Sequence, residues 1–555
     1  MSDLSEEFKS NLANLYKNNQ YSQLEFEIEK LGELDKLPKN ILYLYSISIG
    51  LNPLSSDERL KVSSKLLKKI YLEDKTNLEP LYNLAVISLK SGLYLDILEL
   101  LSDTHKLYPK DERIIEFIAK FNFVLSNLKE SIKYYELLFE LSPRKLEARI
   151  SYLICLNYIP GISQEKYFQE SKKISEIIEK EMKFDFVKDR NLKTKISLGF
   201  LSSDFKRHSV SFFLKDFLKN IDQNKFELTA FSNLSEVNHD DITRKLKKTF
   251  NHWYDIFNIP DENLVKFIRE KKIDILIDLN GFTFGNRSKV ISKRVANLQI
   301  SWLGYCNTTG LTNMDYLFTD KNCIKHDEEK FYSENILYLP NIWNVMSKPD
   351  ELPDVNDLPR LKKDIFTFGC FNNFQKISDD VVHVWSQIIN KSNSRIILKN
   401  SINDNEDINK NLIKKFKKNN INPDKIIFYK YFQNQKNHLE LYNQIDVALD
   451  TFPYNGVTTS FEANLMGVPV LTMKGNNFNS RCGESISKNS GAHFFLCENK
   501  NEYIEKAINL SKDFNFLSQN RKQLRDKILA SPLFDMKDFC KNFTKLLVQI
   551  YDNTI

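Results

Sequence analysis

Up to about residue 185, apolar residues recur three and four positions apart. Leu81, Leu84, Ala85 and Leu89 show the pattern, as do Ile114, Phe117, Ile118 and Phe121. That spacing keeps one face of an α-helix apolar and predicts helix after helix. Pro109 and Pro143 stand 34 residues apart in matching contexts, HKLYPKDE and FELSPRKL. Counting back from each proline, the large-small pair Leu84/Ala85 matches Ile118/Ala119. Helix pairs are therefore expected at 78–111 and 112–145, with degenerate pairs on either side. This is the period of tetratricopeptide repeats, whose stacks offer a concave surface to a peptide.

Near residue 190 the period changes. Short apolar runs follow, each trailed by a polar loop and an amphipathic stretch: Ile196–Leu201, Leu228–Ser232, Ile273–Leu279 and Gln299–Leu303. After residue 360 come Phe366–Cys370, Arg395–Leu398, Lys425–Tyr429, Val447–Leu449, Pro469–Met473 and Phe494–Cys497. Strands alternating with helices predict parallel α/β sheets. The stretch 320–360 reads as irregular, and the prolines of LPNIWNVMSKPDELPD suit a connector. The expected domains are helical repeats over 1–190 and two Rossmann-like halves over 191–345 and 346–555. Ligands of open α/β sheets bind at the carboxyl ends of the strands, so two halves would hold one in the cleft between them.

Composition narrows the class without naming a function. With 42% hydrophobic and 12% aromatic residues the chain can build a large core, which excludes fully disordered and collagen-like readings. Only Gly32, Gly50, Gly92 and Gly161 precede residue 190, although the chain has 15 glycines. A net charge of +6 on 27% charged residues is mild. The lysine groups 245–248 and 414–418 fit solvated helix faces, so no nucleic-acid partner is expected. Seven scattered cysteines without a CxxC pair signal neither a zinc knuckle nor a disulfide framework, and no metal is expected. An acidic start, MSDLSEEFKSN, and the lack of an 18-residue apolar run lead to the expectation of a cytoplasmic chain with no membrane span.

Candidate chemistry gathers at strand ends. In DVALDTFPYNGVTTSFEANLMGVPVLTM, a strand runs into a loop with Asn455 and Gly456, and Thr458 and Thr459 open a helix. Free N–H groups and hydroxyls behind a glycine turn suit a phosphate, and Glu462, one turn on, suits ribose hydroxyls. The same spacing also suits ordinary N-capping by threonine with a capping-box acid. Lys376, in GCFNNFQKIS after a strand, could neutralise a diphosphate, though alone it also reads as a surface lysine. His438, in QKNHLELY, stands at a helix start and alone reads as structural. In the first half, GFLSSDFKRHSV ends a strand before His208. Gly281 and Gly285, then Gly304 and Gly310, fall at two further strand ends, lining one crevice or merely making tight turns. No Walker motif or GxGxxG is present, which weighs against an NTPase or a dehydrogenase.

In order along the chain, GFLSSDFKRHSV, DILIDLNGFTFGNRS, RVANLQISWLGY, MDYLFTDK, FYSENILYLP, CFNNFQKIS, the 446–473 segment, SRCGESIS and SPLFD carry a resemblance over 195–550. The chain resembles the O-GlcNAc transferase and SPINDLY family of protein glycosyltransferases, which also carry N-terminal tetratricopeptide repeats. The resemblance implies an α/β GT-B glycosyltransferase fold. It implies a metal-independent, inverting transfer of N-acetylglucosamine from UDP-GlcNAc to Ser/Thr hydroxyls of proteins, with no cofactor. By matching position, Lys376, Thr458 and Thr459 would hold the donor diphosphate, Glu462 the ribose, and His438 would sit by the nucleotide. Asn455, Gly456, Gly281 and Tyr305 would line the donor. His208 matches the histidine near the reacting sugar, and Asp274 lies in a block of other proposed participants. Protein or peptide acceptors would be held by the helical repeats. Val457 stands where animal members have histidine, and GYCNTTG replaces GYPGTSG, so Cys306 and Asn307 alter a loop near the sugar. Alternatives are transfer of hexose to Asn, of fucose from a GDP donor, or a repeat-based interaction protein whose sugar-nucleotide domain only binds.

Overall fold

The computed structural model describes residues 5–180, 186, 194–400, 405–432 and 434–554. The expected boundary at 190/191 lies outside the described residues. Two compact units form: Met1–Pro143 with Asn405–Asn411, and Arg144–Asp404 with Leu412–Ile555.

The first unit is helical. Glu79–Ser91 pairs with Leu95–Leu107, and Glu112–Val124 with Leu128–Leu141. Pro109 and Pro143 each stand one residue beyond a helix cap, where their missing N–H costs nothing. Leu81, Leu84, Ala85, Ile114 and Ile118 are buried together in one core. Two further pairs precede these, Glu6–Lys17 with Tyr21–Glu29 and Lys39–Leu51 with Asp57–Glu73. The period recurs in ion pairs between residues 34 apart: Arg59 with Glu25 at 2.6 Å and Arg113 with Glu79 at 2.8 Å.

The second unit opens with one more helix pair, Leu146–Leu156 and Gln164–Lys180. Seven parallel strands follow: β1 (Ile196–Ser202), β2 (Phe226–Ser232), β3 (His252–Asp255), β4 (Ile275–Asp278), β5 (Leu298–Ser301), β6 (Tyr316–Asp320) and β7 (Asn335–Leu339). They are ordered β3-β2-β1-β4-β5-β6-β7. The second sheet holds β8 (Thr367–Cys370), β9 (Arg395–Lys399), β10 (Ile426–Tyr429), β11 (Val447–Leu449), β12 (Val470–Met473) and β13 (Leu496–Cys497), ordered β10-β9-β8-β11-β12-β13. These are two Rossmann-like halves. Strands β3, β6 and β7 were not anticipated, and β7 corrects the irregular reading of 320–360. Both β3 and β7 are edge strands with a solvent-facing side, so they lack the continuous apolar run that marks a strand buried on both faces.

The halves share a core. The last helix, Met536–Asp552, returns to the first sheet, where Phe543 stacks on Phe318 at 4.0 Å and lies 4.6 Å from Trp302. A Cβ on Gly304 would come within 1.9 Å of the Leu279 carbonyl oxygen. Glycine there lets the loop after β5 run against the end of β4.

Candidate active site

Neighbouring strands β8 and β11 send their carboxyl-end loops into one place. After β8 the chain enters a single 3-10 turn, Phe374–Lys376, capped by Asn373 accepting the Gln375 N–H. Lys376 Nζ donates to the Asn455 carbonyl at 2.7 Å and stands 4.1 Å from the centre of the Tyr454 ring. Burial pushes its pKa below the ordinary lysine range, and the field of Asp450 opposes that shift. Asp450, at the end of β11, accepts the N–H groups of Gly456 at 2.7 Å and Thr451 at 2.9 Å on Oδ1. Its Oδ2 accepts the Thr472 hydroxyl at 2.7 Å. Desolvation outweighs these donors and raises its pKa to about 6.

These bonds curl 451–456 back on the strand. The Asn455 side chain is buried and takes part, donating to the Thr451 carbonyl at 3.0 Å and accepting the Gly483 N–H at 3.1 Å. A Cβ on Gly456 would come within 2.5 Å of Thr459 Oγ1 and 2.8 Å of Asn372 Oδ1, so a side chain there would have to displace the bond between them. The helix Thr458–Leu465 then begins at Thr458 itself. Its cap position is Val457, which makes no side-chain cap bond, so the threonine-cap alternative is not what the chain adopts. Thr459 Oγ1 instead donates to Asn372 Oδ1 at 2.9 Å, tying the helix start to the loop that carries Lys376. A helix start without a side-chain cap, one loop from a lysine, offers unpaired N–H groups and a cation to an anion.

Glu462 does not reach back to the cap either. His438 Nε2 lies 2.9 Å from its Oε2, and the Tyr442 hydroxyl donates to the same oxygen at 3.3 Å. Phe371 packs on Tyr442 at 4.6 Å, closing an aromatic wall around the pair. The structure thus brings His438, on the helix Gln435–Glu440, to Glu462, on the helix that Thr458 opens.

On the N-terminal side, β1 runs through Ser203 and Asp204 to His208, which caps the helix Ser209–Asn220: its Nδ1 accepts the Val210 N–H at 3.4 Å. Asp204 Oδ2 lies 3.8 Å from that nitrogen. Burial lowers the His208 pKa, and Asp204 counters it. Asn280, beyond β4, donates to Asp204 Oδ2 at 3.0 Å and to Ser203 Oγ at 2.9 Å, joining the ends of β1 and β4. Gly281 has φ +53 and lies against the Tyr305 ring, where a Cβ would come within 2.4 Å. The Tyr305 hydroxyl is itself hydrogen-bonded to that of Tyr167 in the helix Gln164–Lys180.

Asp274 requires a correction. It precedes β4 at the amino end, buried, with its Oδ2 accepting the Ser197 N–H at 2.8 Å. It ties strands together at the end away from His208, and the structure does not bring it into the group. Strand direction decides this, since only the carboxyl end opens toward the ligand side. The carboxylate at that end is Asp278, whose Oδ1 and Oδ2 accept the N–H groups of Asn280 and Gly281 at 3.1 and 3.0 Å. Asp278, Asn280 and Tyr454 were missed; the spacing of Asp278 from the Asn280-Gly281 turn in IDILIDLNG was the available signal.

Burial raises the Asp278 pKa to about 7, far above its unfolded value near 4. An acid raised on folding stabilises the fold when protonated, and that contribution is lost as pH rises through about 7. Wild type is therefore expected to lose stability relative to Asp278→Asn between pH 4 and 8, by up to about 4 kcal/mol. Denaturant unfolding at several pH values checks this. Asp450 adds a slope of the same sign, which cancels in the comparison.

The halves meet across this ground. Phe213, on the helix His208 caps, packs on Phe461, on the helix Thr458 opens, at 5.3 Å. Ser485 donates to Asp320 at 2.6 Å, and Arg481 pairs with Glu328 at 2.8 Å. Among the described residues, no three His, Cys, Asp or Glu side chains are grouped as metal ligands would be. Nor, among them, is any helix long and apolar enough to cross a membrane.

Comparison with known proteins agrees with this architecture. A solved structure of a mutant Thermobaculum terrenum O-GlcNAc transferase superposes with a TM-score of 0.83, covering 94% of this chain and 99% of that one at 22% identity, which shows the shared fold. A tomato (Solanum lycopersicum) relative, "Probable UDP-N-acetylglucosamine--peptide N-acetylglucosaminyltransferase SPINDLY", is 31% identical over 352 residues, 63% of this chain and 38% of the relative. The Arabidopsis thaliana protein of that name is 29% identical over 72% of this chain and 44% of its own length. Arabidopsis SEC, likewise described as a probable UDP-N-acetylglucosamine--peptide N-acetylglucosaminyltransferase, is 28% identical over 64% of this chain and 37% of its own. The chain thus spans less than half the length of these curated relatives. The model of glycosyl transferase family 41 matches residues 168–357 and 356–543, one match for each half, and the chain belongs to that family.

Proposed function

We propose that the chain is a protein glycosyltransferase that moves N-acetylglucosamine from UDP-GlcNAc to Ser/Thr hydroxyls of proteins, inverting the anomeric carbon without a metal. The observation that carries the reading is the half-buried Lys376 ammonium beside the uncapped start of the helix Thr458–Leu465. The reaction drives negative charge onto the leaving diphosphate. Lys376, the N–H groups of the helix start and the Thr458 and Thr459 hydroxyls would stabilise that charge as it develops. His438 and Glu462 would bound the nucleoside end, and His208, on the opposite half, would face the reacting sugar and acceptor hydroxyl. Gly281 and Tyr305 would shape the floor beneath it. The helical repeats would present the acceptor protein. The names of the relatives support the donor, and seven buried cysteines, none in a disulfide, support a reducing compartment such as the cytoplasm.

Transfer assays with a panel of UDP- and GDP-sugars and peptide acceptors test the reading. A gain of one N-acetylhexosamine from the UDP donor is expected. Gain of a hexose or a deoxyhexose instead would assign a different donor, and no transfer from any donor would leave a binding module.

A further inference from the structure

The Lys376 ammonium rests on an aromatic face, and that face is supported from outside the two sheets. Tyr454, in the loop after β11, lies under the ammonium at 4.1 Å. The ring of Tyr158 lies 5.0 Å from the Tyr454 ring, tilted by 60°. Tyr158 belongs to the connection between the helices Leu146–Leu156 and Gln164–Lys180.

That connection is pinned to both halves. Asn157, next to Tyr158, donates to the Tyr167 hydroxyl at 3.0 Å and accepts from Asn307, in the loop after β5, at 3.1 Å. Its carbonyl accepts from Asn479, in the helix Phe478–Asn489, at 3.2 Å. Gln164 donates to Asn307 Oδ1 at 2.9 Å. Buried amides held this way fix a side chain's position better than apolar packing does.

We propose that Tyr454 is a positioning residue for Lys376, and that the helix pair 146–180 completes the donor site by supporting Tyr454 through Tyr158. A cation over a tyrosine face is held by the ring's electrostatics, more firmly where water is excluded. The ring keeps the ammonium pointed at the Asn455 carbonyl and available to a diphosphate. The inference rests on the reading of Lys376 as the diphosphate contact. The other groups facing the ammonium are Asp450 at the end of β11, Cys370 at the end of β8, Cys482 in the helix Phe478–Asn489 and Cys306 after β5. The carboxylate, the Asn455 carbonyl and the ring face favour the charged form at neutral pH, whereas burial, and for Cys306 first its hydrogen bond with Cys482, keeps the thiols protonated.

Steady-state kinetics of the full chain across pH, with its preferred donor and a peptide acceptor, test this. Tyr454→Leu is expected to lower kcat/KM for the donor on the order of 3- to 30-fold. It should also move the alkaline limb of the pH profile to lower pH, because the ammonium loses a stabilising face. Tyr454→Phe keeps the face and should restore both, and Tyr158→Ala should shift both in the direction of Tyr454→Leu. If the leucine variant fails to fold, Tyr158→Ala carries the same expectation. Wild-type kinetics and pH profile in Tyr454→Leu, or equal impairment in Tyr454→Phe, overturns the proposal. Near-normal turnover in Lys376→Ala would instead remove the reading on which it rests.

Discussion

Lys376→Ala is expected to lower turnover by roughly 100- to 1000-fold while the protein stays folded. The size follows from where the ammonium sits. It is half-buried and held by a carbonyl and a ring, with its compensating carboxylate, Asp450, occupied by backbone N–H groups and a threonine hydroxyl. Charge on a leaving diphosphate would thus meet a cation already in place, with little water to reorganise, where such contacts are strongest. Removing the lysine also removes the burial cost of its charge, so thermal unfolding should not suffer. Circular dichroism melts and initial rates check the two halves of the expectation. A melt near wild type with a rate near wild type would deny Lys376 its role.

His208→Asn is expected to lower turnover by about 100-fold or more, with stability and UDP affinity close to wild type. Asparagine is the informative replacement because His208 does two jobs. It caps the helix Ser209–Asn220 through Nδ1, and asparagine is among the best capping residues. Loss of a cap alone would cost about 1 kcal/mol of stability and leave chemistry intact. With Nδ1 engaged, Nε2 is the nitrogen left for a substrate, and desolvation favours the neutral ring against the pull of Asp204. Calorimetry with UDP and rates at saturating donor separate the effects. Wild-type turnover in this variant would reduce His208 to its capping role.

The two architectures could be read from periodicity because each obeys one repeat rule over long stretches. Pro109 and Pro143 marked helix ends, and continuous apolar runs marked strands buried on both faces. The edge strands β3 and β7 escaped because half-exposed strands carry no such run. Local motifs located the loops of the site, yet spacing alone could not say which way each side chain would turn. Glu462 could equally have capped its helix, and only the fold brings His438 and Tyr442 to it. Asp274 and Asp278 differ by one strand length, and choosing between them requires knowing which strand end opens to the ligand. Asn455 was expected to line the donor; the fold adds that its side chain holds the loop together and its carbonyl meets Lys376. Tyr158 lies nearly 300 residues from Tyr454 in the chain, a contact that no local pattern encodes.

The most direct measurement is the intact mass of a peptide or protein acceptor after incubation with the full chain and UDP-GlcNAc, with Lys376→Ala run in parallel. A gain of one N-acetylhexosamine on a serine or threonine with the wild type, nearly absent with the variant, is the expected result. No gain from UDP-GlcNAc, or an equal gain with the variant, would contradict it.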